Sequence, residues 1–245
     1  MYLKFPTKKS GFPIANKADL DYLAQQILME YMPETLVRAT ALDLDQLLHN
    51  YIILDVTEAN LYPENILGFI AFSDIKIPLA NGEVLDVTEG TIVLDEQLKE
   101  NKARYRFTLA HEAAHWILHR SYYCQDNKVY EFRKKGYSYI ACKTDKTELG
   151  RKNPKEAKTD DEWAEWQADY LAAALLMPKA PFIKAAKAAL LRHNFPNLQL
   201  VSGERVEEGT QVVKELAKLF QVSMRAIRIR MRNFYMYSGD ALKPF

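Results

Sequence analysis

The sequence predicts an α+β protein, with a small, mostly antiparallel sheet packed on one long helix and on further helices. Three observations predict it. The 245-residue chain is 48% hydrophobic and 11% aromatic, enough apolar surface for a sizeable core and too much for a disordered chain. Between residues 51 and 95 the apolar residues come in short β-branched runs, YIILDV, ILGFIAF, IKIPLA, EVLDV and TIVLD, whose length and composition suit strands. On either side of that block they recur at three- and four-residue intervals, which is the helical period.

Bulk properties narrow the function classes. The formal net charge is +1, so overall charge implies no polyanionic partner. Cys124 and Cys142 are too few and too far apart for a disulfide scaffold or a thiolate zinc finger. With an N-terminus that has no apolar signal segment, they point to a cytoplasmic protein. No apolar run approaches the ~18 residues needed to cross a bilayer, so no membrane partner is expected.

The elements follow in order. Residues 1–17 read as an extended N-terminal arm rich in Lys, Pro and Gly. Leu20, Leu23, Ile27 and Tyr31 form one helical stripe, and Pro33 stops it. A short helix is expected from Leu42 to His49, followed by the sheet. Asn81-Gly82 marks a hairpin, because both residues tolerate positive φ. The helical period returns at Ala103 and runs to His119. Residues 120–159 are polar and irregular, and read as an insertion or lid. A helix capped by Asp160 or Asp161 ends at Pro178, and another covers Pro181 to His193. Residues 201–245 read as a helical hairpin resembling a helix-turn-helix, broken near Gln221–Val222 with Ser223 as N-cap. Residues 18–200 form the main domain.

The chemistry concentrates in TLAHEAAHWILH, Thr108 to His119. His111 and His115 are four residues apart, so an α-helix puts both imidazoles on one face within reach of a single metal ion. Glu112 flanks that face, where a carboxylate can take a proton from a water; this is the HExxH arrangement. The alternative is a pair of core histidines with satisfied hydrogen bonds, but burying two imidazoles and a carboxylate without a metal is costly.

A zinc site needs a third protein ligand and leaves a fourth position for water. Glu165 is the best candidate and Glu162, three residues earlier, is its rival. Asp169, one turn beyond Glu165, can accept the Nδ1–H of a liganding histidine and fix its tautomer. A solvated acidic face is the common fate of such residues, yet the run from Trp163 to Met177 is apolar nearly all round, which turns at least one carboxylate inwards. His119 lies two turns beyond His111, about 12 Å along the axis, too far to join the same ion. It is expected to cap the helix C-terminus, to support a ligand, or to face the substrate.

RFTLAHEAAHWILH followed by EWQADYLAAALLMP closely resembles the paired signature of the ImmA/IrrE-type metallopeptidases, RFTLAHELGHxxLH and then ExxANxFAxxLLMP. The resemblance covers both helices and, more loosely, the sheet before them. It implies a zincin-like fold and zinc bound by His111, His115 and Glu165, with Glu112 as catalytic base. Ala113-Ala114 replaces a bulkier pair, and Asp169 stands where Asn is common. Many relatives carry an N-terminal DNA-binding helix-turn-helix, but no basic recognition helix is visible here. The resemblance therefore implies a stand-alone peptidase that acts as an anti-repressor in a bacterium or phage mobile element, its partner a repressor that it cleaves.

In that reading the oxyanion needs a donor besides the metal, for which His119, Tyr105, Tyr123 and Tyr170 are candidates. An extended peptide would pair with a sheet edge, for which Thr91 to Asp95 is a candidate. Arg225, Arg228, Arg230 and Arg232 would give the last helix a basic face. DNA contact is one reading of it; a hairpin closing the core is favoured, since LAxxFxVS segments end many domains of this resemblance. The rival function is a metal-binding regulatory or DNA-binding protein with a structural or relict zinc site. An intact Glu112 favours the enzyme, because a structural site needs no base.

Overall fold

The computed structural model describes residues 5–63, 65–124, 139–143 and 159–239. It is mixed α+β, as expected, and divides into two compact units. The first comprises Met1–Leu20 and Asp43–Ala172, the second Asp21–Leu42 and Ala173–Phe245.

The first unit is built on a four-stranded sheet. Its strands are β1 (Asp55–Ala59), β2 (Ile66–Ala71), β5 (Thr91–Asp95) and β6 (Tyr139–Lys143), in the order β1-β5-β2-β6. β5 runs parallel to β1 and antiparallel to β2, and β2 is antiparallel to β6. A separate hairpin joins β3 (Ile75–Pro78) to β4 (Val84–Val87). Its turn forms at Asn81-Gly82, with Gly82 at φ 84° and the Leu79 amide donating to the Glu83 carbonyl.

Two expectations need correction here. Thr91 to Asp95 is not an edge: β5 lies between β1 and β2, and all five of its residues are buried. A nearly unbroken apolar run is what a strand covered on both faces requires. YIILDV is also not one strand. Leu44–Gln46 (α3) continues into a wider π-type turn at Leu47–Ile52, so that Leu44, Leu47 and Leu48 are all buried, and the strand begins only at Asp55. Within the expected insertion, YIACK forms β6; residues 125–138 and 144–158 lie outside the described residues.

The central helix α4 (Lys102–Tyr123) is longer than the sequence period indicated. Asn101 caps it, accepting from the Arg104 amide at 3.1 Å. It packs on β2 and β5, and Gly68 permits the approach. A Cβ there would meet Leu94 Cδ2 at 2.8 Å, the Val93 carbonyl at 3.0 Å and Thr108 Cγ2 at 3.2 Å. Strand alternation sends Phe69 and Ala71 the other way, into a cluster with Ala59, Val93, Ile77 and Val87.

Helix α5 (Asp160–Leu176) begins with a capping box. The Glu162 amide donates to Thr159 Oγ1 at 3.1 Å, and the Thr159 amide donates to Glu162 Oε2 at 3.2 Å. Thr159 is thus the cap, in place of the expected Asp160 or Asp161. Asp160 instead receives hydrogen bonds from Lys8 (2.7 Å), Ser10 (2.9 Å) and Tyr122 (3.2 Å). These contacts belong to an N-terminal segment that is a tight reverse loop and not an extended arm. The Lys8 amide donates to the Phe12 carbonyl, and the Ile14 amide to the Pro6 carbonyl. Phe12 is buried, and a side chain that sinks into the core ties its backbone down.

The second unit contains most of α1 (Lys17–Tyr31), with α2 (Glu34–Val37), α6 (Lys179–Arg192), α7 (Val206–Phe220) and α8 (Met224–Asn233). Asn16 caps α1. Leu23, Ile27, Phe182, Val212, Leu216, Phe220, Ile227 and Met231 are buried. Gln221 takes φ 53°, the left-handed conformation expected of the turn, and Ser223 Oγ accepts from the Ala226 amide at 3.1 Å. Short strands β7 (Leu200–Val201) and β8 (Tyr237–Ser238) pair in parallel. Arg230 departs from the expected basic face. It is fully buried, donating from Nε to the Met177 carbonyl at 3.1 Å and from Nη2 to Asp21 Oδ1 at 2.6 Å. Among the described residues no helix is long and apolar enough to cross a membrane.

Candidate metal centre

The third and fourth turns of α4 carry the site. Thr108, Leu109, Ala110, Ala113 and Ala114 are all buried against their surroundings. His111, Glu112, His115 and His119 share that environment and are at most 2% exposed. From α5, Glu165 and Asp169 point towards α4, one helical turn apart.

The ligand atoms converge. His111 Nε2 and His115 Nε2 are 3.0 Å apart. Glu165 Oε2 lies 3.9 Å from His111 Nε2, and Oε1 lies 3.6 Å from His115 Nε2. Three donors of a tetrahedral ion with bond lengths of about 2.0–2.1 Å would be spaced by about 3.3 Å, which these separations bracket. This trio can hold a metal ion. Glu162, the rival, is exposed and its carboxylate turns back to the Thr159 amide.

Three details test whether an ion fits. Asp169 Oδ1 accepts the Nδ1–H of His111 at 2.9 Å, so the neutral ring turns its Nε2 lone pair towards His115. Next, the two facing imidazole nitrogens have no good arrangement without a cation or a proton between them. Lastly, both carboxylate oxygens of Glu112 are buried and no side chain among the described residues hydrogen-bonds to them, a costly state that water or a cation in the same cavity would relieve. The donor set of two imidazoles and a carboxylate suits zinc.

The electrostatics agree. Burial pushes the Glu112 carboxyl above its ordinary value, to about 8; Glu165 and Asp169 add to this, against His111 and the Ile70 backbone. Burial pulls the His111 imidazole down, but the Asp169 hydrogen bond and the charges of Asp169, Glu112 and Glu165 carry it up to about 9. His119 goes the other way, lowered by burial to about 4 and so neutral.

His119 does not cap the helix, and it is fully buried. α4 continues past it to Tyr123. It packs behind His115, with its Nδ1 at 3.1 Å from His115 Nδ1 and its Nε2 at 2.9 Å from Gln167 Oε1. Tyr105 hydrogen-bonds to Glu58 of β1, and burial together with Glu58 raises its hydroxyl to about 12. Tyr123 lies edge-on to His119, and Tyr170 sits beside Trp166 and beneath the Lys17 ammonium. Gln167 leaves only a faint trace in the sequence, a lone amide inside the apolar run that follows Glu165.

Residues 140–232 match the IrrE N-terminal-like domain of the Peptidase_M78 family. This is the family whose paired motifs the two helices resemble. The Peptidase_M78 match includes Glu165, Asp169 and the LLMP ending, and it begins after the HExxH helix. A solved structure, a Mycobacterium tuberculosis transcriptional regulator, is similar over 87% of this chain at 14% identity, with a TM-score of 0.45. The chain spans 46% of the length of that structure. No curated protein matches.

Proposed function

We propose that the chain is a zinc-dependent endopeptidase that hydrolyses a peptide bond in a protein, with a transcriptional repressor as its substrate. The observation that carries the reading is Glu112. A fully buried carboxylate, with no side-chain partner among the described residues, stands beside three converging ligand atoms. A purely structural ion needs ligands but no such group. His111, His115 and Glu165 would hold the zinc, and Asp169 would orient His111. When bound, zinc supplies Lewis acidity to a water and to the scissile carbonyl. Glu112 would take the proton from the attacking water and deliver it to the leaving amine. The repressor as substrate rests on the resemblance of the two motif helices to ImmA/IrrE-type peptidases.

The test is incubation of the zinc-loaded protein with a repressor encoded beside it, followed by mass spectrometry. Wild type should cut at a defined bond. Glu112→Gln should retain zinc and lose at least ~10²–10⁴-fold in rate. Cleavage by Glu112→Gln at the wild-type rate would remove the enzyme reading and leave a metal-binding regulatory protein.

A further inference from the structure

His119 and Gln167 are both fully buried and neither belongs to the ligand trio. Their hydrogen bonds nevertheless form one continuous chain that ends at a ligand. Gln167 Nε2 donates to the carbonyls of Pro13 (3.1 Å) and Ala15 (3.4 Å). Carbonyls only accept, so they fix the amide with its nitrogen towards the N-terminal loop and its oxygen away from it. That oxygen is 2.9 Å from His119 Nε2, and an amide oxygen also only accepts. His119 Nε2 therefore carries the proton. A fully buried imidazole bonded to a neutral amide stays neutral, so its Nδ1 is a lone pair. This lone pair lies 3.1 Å from His115 Nδ1, which must be the donor. His115 is then left with its lone pair on Nε2, the atom that faces His111 and Glu165.

We propose that the Pro13 and Ala15 carbonyls, Gln167 and His119 form a positioning relay that holds His115 in the tautomer able to bind a metal. The inference rests on the reading that His111, His115 and Glu165 hold an ion. The two ligand histidines are supported differently. His111 is fixed by a carboxylate, Asp169, whereas the relay to His115 is neutral throughout and adds no charge to the site. Phe12 closes the relay, its ring stacked on His119 at 5.5 Å between centroids and 15° between planes. The N-terminal loop thus becomes part of the metal centre, although none of its residues is a ligand.

The experiment combines two measurements on the full chain. First, ¹⁵N shifts of the histidine rings in ion-free wild type report the tautomers. The relay requires His119 as the Nε2–H form and His115 as the Nδ1–H form; the opposite tautomer at either residue overturns it. Second, Zn²⁺ affinity is measured by competition with a chelator for wild type, His119→Phe and His119→Asn, with melting curves to establish folding. His119→Phe keeps an aromatic ring, slightly larger than the imidazole, and removes the acceptor, and should bind zinc about 10- to 100-fold more weakly. His119→Asn restores an acceptor where Nδ1 was and should recover most of that loss. A residue serving only to fill space predicts the reverse order, with Phe nearer wild type than Asn, and that result overturns the relay. Wild type that shows the required tautomers but binds no Zn²⁺ would sink the metal reading alone. Tight wild-type binding with Phe above Asn would sink the relay alone.

Discussion

His111 Nε2 and His115 Nε2 face each other at 3.0 Å across one turn of α4, and the other nitrogen of each ring is already engaged. The pair has been set up by its partners to present electron density to a shared point. What occupies that point decides the chemistry, and the expected consequences can be measured one at a time.

The two candidate carboxylates of α5 should separate cleanly. Glu165 reaches both histidines, so Glu165→Ala should lose tight Zn²⁺ binding. Glu162 closes a capping box, so Glu162→Ala should bind zinc as wild type does and cost about 0.5–1 kcal/mol of stability. Equilibrium dialysis and urea unfolding of both variants check this.

Removing the metal should lower the melting temperature. An ion that binds only the folded chain stabilises it by about 2.7 kcal/mol when present at about 100 times its Kd. Chelator treatment should reverse that gain, and added Zn²⁺ should restore it; scanning calorimetry with and without chelator is the measurement.

The packing of α4 on β2 depends on Gly68. Gly68→Ala places a methyl group 2.8 Å from Leu94 Cδ2 and 3.0 Å from a backbone oxygen, and the backbone cannot yield. A loss of about 1–3 kcal/mol is expected from denaturant unfolding.

Arg230 and Asp21 meet at 2.6 Å, with side chains 0% and 9% exposed. Asp21→Ala strands a buried guanidinium and should cost about 3–5 kcal/mol. The double variant Asp21→Ala/Arg230→Met should recover much of that, because it removes the uncompensated charge along with its partner. Unfolding free energies of the three proteins provide the check.

Asp160 supplies a pH signature. Burial alone would raise its carboxyl, but the hydrogen bonds from Lys8 and Ser10, the Lys8 charge and Tyr122 outweigh burial and hold it below its ordinary 3.8. A carboxyl depressed in the folded state stabilises the fold above the unfolded-state value, and that contribution is lost as pH falls through the folded one. Asp160→Asn should therefore cost about 1 kcal/mol near neutral pH, and its deficit should shrink as pH drops below 3.8. Chemical denaturation of both proteins across pH 2–7 measures it.

Periodicity made α4 and α5 legible, because both helices are apolar on most of their surface and a charged residue inside such a run has to be used. Asn81-Gly82 and Ser223 were legible because local chemistry decides turns and caps. Pairing partners were not. Nothing local in TIVLD says that β1 and β2 flank it, and nothing in YIACK says that it completes the sheet. Arg230 read as surface because its partner is 209 residues away in sequence. Gln167 and the N-terminal loop stayed silent for the same reason: the hydrogen bonds that give them meaning span more than 150 residues.

The most direct measurement is X-ray absorption at the zinc edge on protein reconstituted with one equivalent of Zn²⁺. The account predicts stoichiometric zinc in a shell of nitrogen and oxygen at about 2.0–2.2 Å, with the imidazole scattering of two histidines, and loss of that shell in Glu165→Ala. Protein that retains no zinc, or zinc with sulfur neighbours at about 2.3 Å, would contradict it.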